Sequence, residues 1–383
     1  MSPLPRIFVT TLAVMAVIAV IGLIYFPRLL PDTARIPVLV PITGFLSLEG
    51  TSQRNGAELA LRDSGVAFDV DDTGTAPETA VNAFERALAS GRDGENVIAV
   101  VAPMLGTQML ALVPLADEFD VPMVTVSGTA RITELGSPNV FRFFPGDVVV
   151  KAAHARYAVE ELGAKRPAVI FQTTAYGQSG RAELDRNLTE LGAPPVFAEG
   201  LDVTVKDMLP VLSKARDSGA DALLLHLHAG PTALVIRQAR AMGLDIPIVA
   251  GSAMHQPETA ALLEPRELDG VCAESGASPI SETDPAMRAF VEQYRDAFDR
   301  EPDAFALAQY DGVQMVLRAF ELGARTAANV RDWLSSQKHE GLAMTYASDG
   351  KGNMAHSAVI LCYDGDSRVP AIVKRYENLT GVL

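Results

Sequence analysis

The chain has 383 residues, 48% hydrophobic and 21% charged, which is ordinary globular usage and excludes a fibrous or wholly disordered protein. Acidic residues outnumber basic ones 47 to 32, giving a formal net charge of −15. No cluster of Lys and Arg offsets this, which argues against nucleic acid as a partner, and two cysteines are too few for a disulfide-rich scaffold or a four-cysteine zinc site.

The first element is an uncharged apolar run from Ile7 to Phe26, preceded by Arg6 and ended by Pro27 and Arg28. As a helix at about 1.5 Å per residue it spans about 30 Å, one bilayer core. Its length favours an uncleaved membrane anchor, and no A-x-A-like cleavage site follows it; a cleaved secretory signal is the alternative. Both readings export the rest of the chain.

From there short apolar runs alternate with helical patterns. Strands are predicted at 36–42, 66–70, 97–102, 121–126, 168–171, 222–227, 246–250, 271–273 and 358–363. Most are continuous Val, Ile, Leu and Ala, the pattern of parallel strands covered on both faces. Helices are predicted at 50–64, 77–90, 107–119, 147–162, 177–191, 205–218 and 231–242, several stopping at glycines (Gly163, Gly192, Gly219, Gly243) suited to a left-handed cap. After about 252 the rhythm changes to helices at 285–298, 304–323 and 327–337, and two strands complete the chain. Four strands precede Phe141 and about four or five more run from Ala168 to Ala273, each set enough for its own sheet, which predicts two doubly wound α/β lobes rather than one nine-stranded sheet.

No Gly-rich phosphate loop, serine elbow or H-E-x-x-H occurs. An enzyme is therefore a minor alternative, and no cofactor is implied. His226 and His228 lie two apart and would share a strand face with His255 near by, but three histidines without an acid or cysteine are a thin metal site. Cys272 and Cys362 fit a disulfide or two buried thiols equally well.

Open α/β sheets bind ligands beyond the carboxyl ends of their strands. After 97–102 comes PMLGTQ, a turn into a helix carrying Thr107; after 121–126 comes SGTARITEL, with Ser127 and Thr129. Hydroxyls and helix amino termini at two adjacent strand ends can clamp a carboxylate, although Ser and Thr also serve there as plain helix caps. Tyr176 and His228 occupy corresponding places in the second set of strands and mark the far side of a cleft.

Residues 36–376 resemble the leucine/isoleucine/valine-binding receptors of branched-chain amino-acid ABC transporters, which are type I periplasmic binding proteins. The resemblance rests on PITGFLSLEG at 41–50, NGAELA at 55–60, VVAPMLGT at 100–107, SGTARITEL at 127–135 and FRFFPGD at 141–147. It continues with AYG at 175–177, RQARAMGL at 237–244 and YDGVQ at 310–314. It implies a two-lobed trap with a central cleft and three crossovers, with lobe one at 36–146 plus 276–345 and lobe two at 147–275 plus 346–383. Residues 1–35 would be the signal or anchor.

The family's carboxylate clamp falls on Gly106, Ser127 and Thr129; Gly106 replaces the usual serine, with Thr107 as a neighbouring substitute. The pocket aromatics fall on Tyr176, which matches, and on His228, which departs. The acid that holds a ligand ammonium falls on Ser252. An α-amino acid would then need another anion, Glu49 in the pocket or Asp147 at the hinge; otherwise the ligand is an amide or carboxylate. The resemblance implies a small-molecule ligand, a membrane permease as partner, contact with the inner membrane through the N-terminal helix, and a periplasmic location. A membrane-tethered sensor would use the same trap.

Overall fold

Parallel strands, the central ones buried on both faces, build two main sheets, with two short two-stranded pairs beside them. The structure, a computed structural model, describes residues 33–89 and 95–383; the apolar run at 7–26 lies outside these. Among the described residues no helix is long and apolar enough to cross a membrane.

The first sheet is five-stranded and parallel, in the order Val70–Asp72, Val38–Val40, Val100–Val101, Met123–Thr125, Val140–Arg142. The second has seven strands, in the order Ala371–Tyr376, Ala358–Cys362, Val271–Ser275, Ile248–Ala250, Ala222–His226, Pro167–Gln172, Phe197–Leu201. Its last five are parallel, and the two from the chain's end join antiparallel. Helices cover both faces of each sheet, which is why the central strands carry apolar side chains on successive residues rather than on alternate ones. Leu39 and Val100 face the helices Pro77–Ala89 and Gly106–Glu118, while Val38, Val40 and Val101 face Ala304–Glu321. Glycines 163, 192, 219 and 243 all adopt positive φ, as the helix stops predicted.

The chain passes between the two units three times. It leaves the first sheet at Arg142 for the helix Asp147–Arg156, and leaves the second at Ser275 for the helices Pro285–Phe298 and Ala304–Glu321. It returns to the second sheet at Ala358. Helix Ala304–Glu321 lies along helix Ser47–Leu61 so closely that a Cβ on Gly56 would come within 2.1 Å of the Ala306 carbonyl. Only glycine permits that approach.

Several elements depart from the sequence reading. The strand expected at 66–70 pairs at 70–72, with only Ala67 bridging to Arg35 upstream. The helix expected from 205 starts at Leu209, and the one expected over 147–162 changes to a wider turn at Tyr157–Glu161. Strands Val140–Arg142 and Phe197–Leu201 were not anticipated, because Arg142 and the Glu199-Gly200 pair interrupt their apolar runs. Cys272 and Cys362 stand opposite each other in the antiparallel pair and are joined as a disulfide.

Candidate functional site

A cleft enclosing about 460 Å³ of empty space, part of it continuous with solvent, lies where the carboxyl ends of the two sets of strands face each other. From the first sheet, Met104 and Leu105 follow strand Val100–Val101, and Val126 and Gly128 follow Met123–Thr125. Phe144, Pro145 and Asp147 follow Val140–Arg142. Opposite them, Tyr176 follows strand Pro167–Gln172, His228 follows Ala222–His226, and Ser252 and Ala253 follow Ile248–Ala250. Leu46, Glu49, Val150 and Phe305 complete the wall.

Five of the nine residues singled out in the sequence therefore line the cavity: Glu49, Asp147, Tyr176, His228 and Ser252. Glu49 Oε1 accepts from the Ala229 amide at 3.0 Å, so a carboxylate from the first unit sits on a helix start of the second. Its Oε2 is buried without a hydrogen-bond partner. Burial, opposed by the Ala229 amide, pushes the Glu49 carboxyl up to about 7. Asp147 is fully buried, and among the described residues neither carboxylate oxygen has a hydrogen bond of good geometry, with the Ser179 hydroxyl near by and His226 Nε2 3.7 Å from Oδ1. Burial also lifts Asp147 to about 7, against the pull of Lys151. His228 stacks on Tyr176 at 5.4 Å and meets Phe45 across the cleft at 5.2 Å. Burial pushes its imidazole down to about 4, leaving a neutral ring.

Gly106, Thr107, Ser127 and Thr129, the expected clamp, are not among the residues that line this cavity. The reason lies in how the two loops pack. A Cβ on Gly106 would stand 2.0 Å from Thr129 Oγ1, so the threonine hydroxyl fills the space that a side chain at 106 would need. The Ser127 and Thr129 hydroxyls are buried and have no hydrogen-bond partner. The neighbours Leu105 and Gly128 reach the cavity in their place. This close fit makes a prediction. Gly106→Ala should cost about 1–3 kcal/mol by overpacking, and Thr129→Ala in the same chain should recover part of it in urea unfolding.

The sequence reading missed three groups that shape the site. Arg142, 1% exposed, donates from Nη1 to the carbonyls of Ser127, Gly128 and Thr129 at 2.8–3.3 Å, and so fixes the loop beneath Gly128. Behind Ser252, the fully buried Lys151 and His154 both bond to Glu274, which also accepts from the Ser252 amide and hydroxyl at 3.1 Å. The signal for this group was the i, i+4, i+7 spacing of Asp147, Lys151 and His154, which sets three ionisable groups on one helix face. Finally, Gln256 Nε2 donates to Asp303 Oδ2 at 2.6 Å and the Ala130 amide to Ser179 Oγ at 2.9 Å. With Glu49–Ala229 these bonds join the two walls.

The three histidines considered for a metal do not converge. His226 Nε2 bonds the Tyr176 carbonyl at 3.0 Å, His228 Nε2 lies 3.3 Å from Thr174 Oγ1, and His255 packs against Phe144 and Phe305. Among the described residues no group of three or more His, Cys, Asp and Glu could hold a metal ion.

Residues 33–364 match the family model described as periplasmic binding protein. An amino acid binding protein of Pseudomonas aeruginosa is 29% identical over 95% of this chain and 97% of its own length. A leucine-, isoleucine-, valine-, threonine-, and alanine-binding protein of the same organism is 24% identical over 84% of this chain and 87% of its own. Among solved structures, the leucine binding protein LivK of Thermotoga maritima superposes with a TM-score of 0.79 at 25% identity, covering 90% of this chain and 99% of its own. An ABC transporter solute binding protein of Rhodopseudomonas palustris, in complex with p-hydroxybenzoic acid, shares the fold with a TM-score of 0.81 at 17% identity, over 92% of this chain and 99% of its own.

Proposed function

From the premise that the chain belongs to the periplasmic binding protein family, we propose that it is the extracytoplasmic substrate-binding component of an ABC transporter and closes about a hinge on a small polar solute. The observation that carries this reading is the cleft itself, which holds buried acceptors from Glu49 and Asp147 that have no hydrogen-bond partner among the described residues. Unsatisfied buried polar atoms are rare in a folded protein, and a set of them around one cavity marks where a solute completes the bonding. Relatives named for amino acids support an amino acid or a related amide or carboxylate as the solute.

In this reading, residues 36–146 with 276–345 form one lobe and 147–275 with 346–383 the other. The solute docks on the first lobe near Leu105, Gly128 and Glu49, and the second lobe brings Tyr176, His228 and Ser252 over it. Closure expels water and strengthens each polar contact. A micromolar receptor requires about −8 kcal/mol, within reach of a few charge-assisted bonds after ordering costs. The closed outer surface is what a membrane permease would engage. No bond is made or broken in the solute.

Thermal-shift and calorimetric screening of the purified protein against amino acids, amides and small carboxylates tests this. The expected result is saturable binding with the solute recovered unmodified; turnover of the bound solute would overturn the receptor reading. The Gln256–Asp303 bond joins the lobes away from the cavity wall. Gln256→Ala should therefore weaken solute affinity by about tenfold, equivalent to about 1.4 kcal/mol, without removing any group that lines the cavity.

A further inference from the structure

Three buried acceptor atoms define the chemistry of the cavity: Glu49 Oε2, Asp147 Oδ1 and Asp147 Oδ2, on side chains 2% and 0% exposed. Among the described residues no Lys or Arg side chain lines it. The nearest cations behind the wall are already committed, Lys151 to Glu274 and Arg142 to the 127–129 carbonyls and Asn353. The Ser127 and Thr129 hydroxyls, which would serve a carboxylate, are buried and are not among the residues that line the cavity. The remainder is apolar or aromatic, with Leu46, Val126, Phe144 and Phe305 among the lining residues. An anionic solute would enter this space against two acids and find no compensating charge. A primary ammonium brings three N–H donors to the three open oxygens and a positive charge to a wall that carries no cation of its own.

We infer that the group recognised in this cleft is a primary ammonium held between Glu49 and Asp147 on a small apolar body, and that a carboxylate on the solute is dispensable. Glu49 is carried by the helix that follows the first strand of one unit, and Asp147 sits on the connection between the two units. An ammonium bridging them would couple occupancy to closure. This inference rests on the solute-receptor reading and narrows its ligand class.

The test is a panel of matched skeletons from two to six carbons, plus a phenyl series, each offered to the full-length protein as amino acid, amine and acid; leucine, isoamylamine and 4-methylpentanoate form one such set. The expected result is that at least one amine binds within tenfold of its amino acid while the matching acid binds at least a hundredfold more weakly. Glu49→Gln and Asp147→Asn should each weaken amine binding by at least tenfold. Glu49→Gln keeps the shape of the side chain, and unchanged ligand-free unfolding would show that the loss is not one of folding. Acids that bind as well as amines, amino acids that bind while every amine fails, or variants that bind amines normally would overturn the inference and leave the receptor standing. A panel in which no compound binds would count against the receptor reading itself.

Discussion

Replacing Lys151 by methionine is expected to destabilise the protein by about 3–5 kcal/mol, the cost of leaving a buried charge without its partner. Lys151, His154 and Glu274 are all fully buried, and water cannot take over for a missing member. Burial alone would raise the Glu274 carboxyl, but Lys151 and His154 outweigh it and hold that carboxyl below the usual carboxylate range. In the Lys151→Met chain the larger part of the opposing attraction is lost, and Glu274 must either stay ionised with only His154 beside it or take up a proton. The double variant Lys151→Met, Glu274→Gln should regain part of the loss, since a neutral amide still accepts from the Ser252 amide and hydroxyl. Urea unfolding of the two variants measures this directly. A loss below about 1 kcal/mol in the single variant would mean that the group is not a charged one. Because Ser252 is anchored on Glu274 and lines the cavity, the single variant should also lose solute affinity.

The second large effect is on pH. Glu49 and Asp147 both titrate near 7 in the folded chain, well above their ordinary values of 4.5 and 3.8. A folded state that binds protons more tightly than the unfolded one loses stability as pH rises through the folded value. The ligand-free protein should therefore lose about 1–1.5 kcal/mol per group between pH 6 and 8. The surroundings decide where this is visible. Glu49 is faced by the Ala229 amide and Asp303; Asp147 is faced by Lys151, Ser179, Arg142, Glu274 and His226. His154, His226, His228 and His255 are pushed down by burial and give the opposite slope, with stability rising as pH climbs toward 6.5. Asp311, lifted to about 6 by burial, adds to the acidic side at lower pH. Above about pH 6.5, the ordinary histidine value, the two cleft acids dominate. Thermal unfolding from pH 6.5 to 8.5 should show a falling midpoint, and Glu49→Gln and Asp147→Asn should each flatten it. A midpoint that rises over this range would sink the assignment.

The architecture was legible because burial writes itself into the order of residues. Strands such as Ala222–His226 and Ile248–Ala250 are covered on both faces, so their apolar character is continuous and stands out from the amphipathic helices between them. Glycine stops were equally plain, since a left-handed cap admits few other residues. The strand Val140–Arg142 escaped notice because it carries a polar residue with a structural task. Arg142 interrupts an apolar run because it gathers three loop carbonyls, and no local pattern distinguishes that from a surface arginine.

For the site, the strand pattern pointed to the strand ends that carry Tyr176 and His228, and the family resemblance added Glu49, Asp147 and Ser252; all five line one cavity. Sequence alone could not determine which of two adjacent residues faces inward. Thr129 and Gly128 are neighbours, yet the hydroxyl turns onto Gly106 while the glycine forms the wall. That choice depends on the packing of one loop against another, a contact between residues more than twenty positions apart. The same holds for Lys151 and Glu274, whose pairing spans more than a hundred positions. Periodicity records which side of an element is buried; which charge meets which, and which oxygen is left open for a solute, is fixed only when distant segments are brought into contact.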